Sequence, residues 1–172
     1  RGRVVAGDGY SEDFESVDLS MTFEGEAVNF PPLPWLGARV KWHAVDADGT
    51  KAVANRLDTI LFQRTMNFIG KADAHSYTLE ADVMTDGTRR VMSMVGLVNQ
   101  RYVITLVANS RILEISSNHE RLKESVPFRA QPNVWYHLKT RVDRDADGSG
   151  YVRAKIYPKS SPEPEEWTIE VF

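Results

Sequence analysis

Apolar residues recur at every second position along much of this chain, and that rhythm restricts its fold more than any other feature. Between His75 and Val83, the residues Tyr77, Leu79, Ala81 and Val83 alternate with Ser76, Thr78, Glu80 and Asp82. Successive side chains of a strand point to opposite sides, so such a segment covers a core with one surface and meets water with the other. Tyr136, Leu138, Thr140 and Val142 alternate in the same way with His137, Lys139 and Arg141. So do Val152, Ala154 and Ile156 with Tyr151, Arg153 and Lys155. Segment 91–98 is apolar on both faces, the pattern of a strand covered from both sides. The nearest approach to a 3.6-residue period is Ile112–Val126. Its apolar positions Ile112, Ile115 and Leu122 are spaced too loosely, and Ser116-Ser117-Asn118 interrupts it. Helix is expected to be scarce.

The punctuation agrees. Asp8-Gly9, Asp48-Gly49, Asp86-Gly87 and Asp147-Gly148 are turn pairs, because tight hairpins demand positive φ, which Gly adopts freely and Asp tolerates. Three of them predict hairpins: 40–45 with 51–56, 75–84 with 89–98, and 134–142 with 151–157. Pro31-Pro32-Leu33-Pro34 reads as a stiff loop that cannot join a central strand. Ser160–Glu166, with Pro162 and Pro164, reads as a polar loop before a last short strand, Trp167–Phe172. About eleven short, mostly antiparallel strands with turns every ~10 residues predict an all-β fold, two packed sheets or a barrel, and two sheets can share one core at this length. At 172 residues and 42% hydrophobic composition, the expectation is a single β-sandwich domain over 1–172.

Charge and composition narrow the partners. The net charge is −3 with basic residues scattered, which argues against a nucleic-acid surface. There is no cysteine, hence no disulfide, thiolate metal site or cysteine nucleophile. The most apolar stretch, 91–108, is interrupted by Asn99, Gln100 and Arg101, so no membrane span is expected. The chain begins at Arg1 without an initiator Met or a signal peptide, which suggests a piece of a longer protein.

Several runs carry a resemblance. Tyr10-Ser11-Glu12-Asp13-Phe14-Glu15, Tyr77 through Val83, Gly96 through Tyr102, and Asn133-Val134-Trp135-Tyr136-His137-Leu138-Lys139 resemble strands of concanavalin A-like jelly-roll domains in large bacterial extracytoplasmic proteins. More narrowly, Pro31 through Trp35, Ser117 through Leu122 and Glu165-Glu166-Trp167 resemble a C-terminal domain that follows quinoprotein-type β-propeller repeats. The resemblance implies a jelly roll with a concave sheet, an extracytoplasmic location and an adjacent domain such as a β-propeller. Carbohydrate is the commonest ligand in that superfamily. Fold does not fix function, however, so the site must be argued separately.

Catalytic patterns are incomplete. Glucanases on this fold carry Glu-x-Asp-x-Glu on one strand. Here Glu80 and Asp82 fill the first two places, and Met84 stands where the acid/base glutamate belongs. There is no Gly-x-Ser-x-Gly elbow and no phosphate-cradling glycine loop. His43, His75, His119 and His137 lack the spacing that lets two imidazoles share a metal. The one cation-like motif is Asp143-Arg144-Asp145-Ala146-Asp147-Gly148, where Asp143, Asp145 and Asp147 match alternate carboxylates of a calcium loop. Its twelfth position is Ala154 rather than a bidentate glutamate, so calcium held there would be bound weakly. An acidic hairpin tip accounts for the same residues without metal. No other cofactor is implied.

A binding reading remains. Planar amide, guanidinium and imidazole groups beside apolar strands suit a sugar or carboxylate ligand. The candidates are Gln63, Arg64, Asn99, Gln100, Arg101, Asn118, His119 and Arg121, expected on the concave face. The same residues could instead satisfy one another and nearby backbone in a structural network. Trp35 and Trp42 suit either a stacking platform or a buried anchor of the proline loop, with the anchor favoured. The expected function is a non-catalytic module that binds glycan or docks a neighbouring domain. The alternatives are a sugar hydrolase of the 3-keto-disaccharide type and a structural cap on a β-propeller.

Overall fold

A computed structural model describes residues 3–5, 9–27, 29–35, 38, 42–55, 65–70, 73–88 and 91–172. The described chain is all-β and antiparallel; one 3₁₀ turn, Ala108–Ser110, is the only helical element among these residues. It divides into two compact units, Arg1–Lys71 and Ala72–Phe172.

In the first unit the strands form three two-stranded pairs. These are β1 (Arg3–Val5) with β2 (Gly9–Ser11), β3 (Thr22–Phe23) with β4 (Glu26–Ala27), and β5 (Trp42–Ala47) with β6 (Thr50–Asn55). The β5–β6 hairpin turns on Asp48-Gly49 as its sequence predicts, both residues having positive φ (57° and 86°). Asp46 secures the turn by accepting from the Gly49 N–H at 3.0 Å. Trp35 anchors the proline loop: its indole N–H donates to the Tyr10 hydroxyl at 3.1 Å, and its ring meets Phe14 edge-on at 5.3 Å. The Trp42 indole nitrogen is buried without a hydrogen-bond partner among the described residues.

The second unit is a sandwich. Its strands are β7 (Thr78–Val83), β8 (Gly87–Thr88), β9 (Val91–Met92), β10 (Met94–Asn99), β11 (Tyr102–Val107), β12 (Ile112–Ser117), β13 (Leu122–Pro127), β14 (Tyr136–Arg144), β15 (Gly150–Pro158) and β16 (Ile169–Val171). One sheet has the order β10-β11-β12-β13, the other β16-β15-β14-β7. Alternate residues of both sheets meet in one core. Ile104, Leu106, Leu113 and Ile115 come from the first, and Val83, Tyr136, Leu138, Val142, Val152, Ala154, Ile156 and Ile169 from the second. Each Leu or Ile withdrawn from water contributes roughly 1.5–3 kcal/mol of transfer free energy, which the two-residue period concentrates on the inner faces.

Both four-stranded sheets come from residues 78–171. One expectation needs correcting: the predicted hairpin of 75–84 with 89–98 does not form. Asp86-Gly87 leads into the small β8–β9 ladder, where Gly87 pairs with Met92, while β7 pairs with β14 and β10 with β11, in different sheets. The cause lies across the strands rather than in the turn. Pairing with β14 sets Asp82 opposite His137 and Glu80 opposite Lys139, complementary charges that β10 does not offer.

Candidate functional site

Of the polar residues singled out in the sequence, Gln100, Arg101, Asn118, His119 and Arg121 lie on hairpin tips. Gln100 and Arg101 form the β10–β11 turn, and Asn118, His119, Glu120 and Arg121 form the β12–β13 turn. Two antiparallel hairpins in one meander turn at the same end of the sheet, which brings these tips side by side. Arg101 Nη1 meets Glu120 Oε1 at 2.8 Å and ties them together, both side chains being about half exposed. Asn118, His119 and Arg121 are exposed beside that pair. Burial raises the Tyr102 phenol above its ordinary value, and the Glu120 charge adds to the rise.

Asn99 is set apart from these tip residues. Asn99 is fully buried, and its amide donates to the carbonyls of Tyr77 (3.3 Å) and Thr140 (3.4 Å). Gln100 takes positive φ (57°) at the tip, and its backbone N–H donates to the Tyr77 hydroxyl at 3.0 Å. These two residues fix the tip to the second sheet, leaving the ones beyond them to face outward. Arg121 also takes positive φ (54°). Gln63 and Arg64 lie outside the described residues.

The acidic loop sits at this same end. Arg141 of β14 pairs with Thr78, the residue after Tyr77, so the turn following β14 projects where Asn99 and Gln100 contact Tyr77. Its three aspartates do not converge on a cation. Asp143 sends Oδ1 to Arg141 at 2.7 Å and Oδ2 to Arg153 at 3.3 Å. Asp147 accepts from the Ser149 N–H (2.9 Å) and hydroxyl (2.6 Å), bonds that hold its carboxyl below the usual range. Asp145 is exposed, its N–H donating to the Ser149 carbonyl at 2.7 Å. Among the described residues no group of three or more acidic or histidine side chains is placed to hold a metal. Arginines engage the Asp143 carboxylate and Ser149 one oxygen of Asp147.

A second polar surface covers the outer face of β16-β15-β14-β7. Across its rows lie Asp82, His137 and Tyr157, then Glu80, Lys139 and Lys155, then Thr78, Arg141, Arg153 and Glu170. Opposite charges meet nearly everywhere. His137 Nδ1 lies 2.9 Å from Asp82, Lys159 reaches Asp82 at 2.7 Å, and Lys139 reaches Glu163 at 3.0 Å. Arg153 pairs with Glu170 and stacks 4.5 Å from the Tyr151 ring centroid. Glu80 and Asp82, the two carboxylates of the glucanase-like strand, belong to this paired surface.

Lys155 departs from its sequence pattern. Its position reads as the wet face, yet it is only 5% exposed because the Ser160–Glu166 loop folds over it. Its ammonium donates to the carbonyls of Pro164 (2.7 Å) and Glu165 (3.3 Å), meets Glu163 at 3.2 Å, and sits 4.8 Å from the Trp167 ring centroid. Periodicity cannot show a loop folding back; the one sequence hint is the Trp167 ring beside a run of prolines and glutamates.

No family model, curated protein or solved structure matches this chain, so its own geometry carries the functional reading.

Proposed function

We propose that this chain is a non-catalytic binding module whose sandwich is a concanavalin A-like jelly roll, and that it recognises a carbohydrate through its hairpin tips. The observation that supports the reading is the gathering of Arg101, Asn118, His119, Glu120 and Arg121 on two adjacent tips tied by the Arg101–Glu120 pair. Exposed guanidinium, amide, imidazole and carboxylate groups on turns, held by a buried Asn99 beneath, offer fixed hydrogen-bonding directions to hydroxyls or to a sugar carboxylate. On this reading the module works outside the cytoplasm as part of a larger bacterial protein.

A glycan array probed with the purified chain tests it, in calcium and in chelator. Binding that survives chelator would show that the hairpin tips act without a cation, and binding lost in chelator would bring the Asp143–Asp147 loop into the site. Binding should fall at least roughly tenfold in Arg101→Ala and Arg121→Ala, the loss expected when one charged hydrogen bond to a ligand disappears. A hit that both variants retain would move the site elsewhere.

A second reading, an interaction module that docks a neighbouring domain such as a β-propeller, draws support from the outer face of β14 and β15. Its charges are already paired within the fold, as suits a surface that stabilises rather than captures. Co-expression with an upstream propeller, followed by limited proteolysis, tests it: a docked module resists release.

A further inference from the structure

Along one side of the sandwich the outer edge of β13 faces the outer edge of β16, each strand pairing, among the described residues, on one side only, with β12 and β15 respectively. A cleft of about 330 Å³ runs between them, lined by Glu124–Val126 and Ile169–Phe172. Register fixes what enters it. Leu113 pairs with Val126 and Ile115 with Glu124, and Leu113 and Ile115 point into the core, so Val126 and Glu124 take the same inner face. Ile169 and Val171 face them from β16, opposite Ala154 and Val152. The cleft thus has apolar walls with one carboxylate set among them.

That carboxylate is free. Glu170 at the rim is paired with Arg153, and Lys123 with Glu114 at 3.5 Å, whereas Glu124 has no ion-pair or hydrogen-bond partner among the described residues. An inward-pointing charge on an edge strand deters pairing with an apolar strand, because its partner would have to bury an uncompensated carboxylate. The deterrent is selective. A strand with a cation at the facing position removes it and gains the backbone bonds of the open edge.

We infer that this seam is a peptide-docking site, taking an extended segment that lies along β13 as a fifth strand. Its alternate apolar side chains pack on Val126, Ile169 and Val171, and a lysine or arginine pairs with Glu124. The site is separate from the hairpin tips and does not depend on the carbohydrate reading.

The test uses the whole 172-residue chain and three labelled peptides. The first is Thr-Val-Thr-Lys-Thr-Val-Thr, which puts its Lys and both Val on one face, the second replaces its Lys by Glu, and the third replaces its Thr residues by Pro to remove backbone donors. Anisotropy should show binding of the Lys peptide. Affinity should fall roughly fivefold or more for the Glu and Pro peptides and for the Lys peptide with Glu124→Gln, the scale of one half-solvated ion pair or lost ladder bonds. Glu124→Lys should reverse the preference between the Lys and Glu peptides. Because Glu124 is exposed, both variants should fold, which circular dichroism checks. Amide shifts on binding should map to 122–127 and 169–172. The inference is overturned if the Lys peptide does not bind, if it binds without regard to charge at Glu124, or if those shifts appear with protein concentration alone, the sign of a second copy at the seam.

Discussion

Asn99 and Thr140 join the two sheets of the sandwich: the buried amide of the first donates to the backbone carbonyl of the second at 3.4 Å, across the core. The contact leaves two buried oxygens, Asn99 Oδ1 and the Thr140 hydroxyl, without partners among the described residues. The two side chains therefore have opposite expected effects. Asn99→Ala removes two hydrogen bonds and leaves a cavity beneath the β10–β11 tip, and should cost about 1–3 kcal/mol. Thr140→Val removes only an unsatisfied hydroxyl, and should be neutral or stabilising by up to about 1 kcal/mol. Urea denaturation of both decides it; a Thr140→Val variant clearly less stable than wild type would show that the hydroxyl is bonded.

Lys155 holds the 160–166 loop through the carbonyls of Pro164 and Glu165. Substituting Met keeps most of the aliphatic stem and removes the ammonium, stranding both carbonyls, while Glu163 keeps Lys139. Lys155→Met should lower stability by about 2–4 kcal/mol and expose the loop to protease ahead of the sandwich. Cleavage no faster than in wild type would mean that the loop is held by Trp167 packing instead.

The inner faces were legible because burial obeys a two-residue rule: Leu138, Val142, Val152, Ala154 and Ile156 all point where their spacing places them. Strand partnership was not legible, because a turn signal such as Asp86-Gly87 is local whereas the choice of β14 by β7 is made by residues more than fifty positions away. The candidate site was legible as composition but not as place. Asn99 and Arg101 stand two apart in sequence, yet one is buried between the sheets and the other is exposed on the tip. Turn geometry makes that division, and hydropathy does not record it.

Gly96 faces Thr105 across the β10–β11 ladder, and a Cβ built on it would collide with the Ile104 carbonyl oxygen. That oxygen is backbone in a central strand and cannot swing aside as a side-chain tip would. Gly96→Ala should destabilise the sandwich by about 1–3 kcal/mol despite the higher strand entropy of glycine. Thermal melting measures it, with Gly70→Ala as the comparison, since nothing lies within 4 Å of a Cβ there.

The paired outer face predicts acid sensitivity with a defined sign. Burial raises the Asp82 carboxyl, but hydrogen bonds from Lys159 and His137 outweigh it and hold the group below its ordinary 3.8. Lys139, and after it Lys155, lower Glu163 below 4.5. A carboxyl depressed in the folded state binds protons more weakly there than when unfolded, so unfolding takes up protons as the pH falls. Its stabilisation is complete above the ordinary values and is lost as the pH drops through the lower folded ones. Melting temperature should therefore hold level from neutrality to about pH 5 and decline below it, continuing to fall beneath 3.8. Asp82→Asn should lower stability at pH 7 by no more than about 1 kcal/mol, since Asp82 is a third exposed and Lys159 more than half, and should make the acid decline shallower. A variant whose decline is as steep as wild type would remove Asp82 from the account and leave the acid response to the other carboxylates.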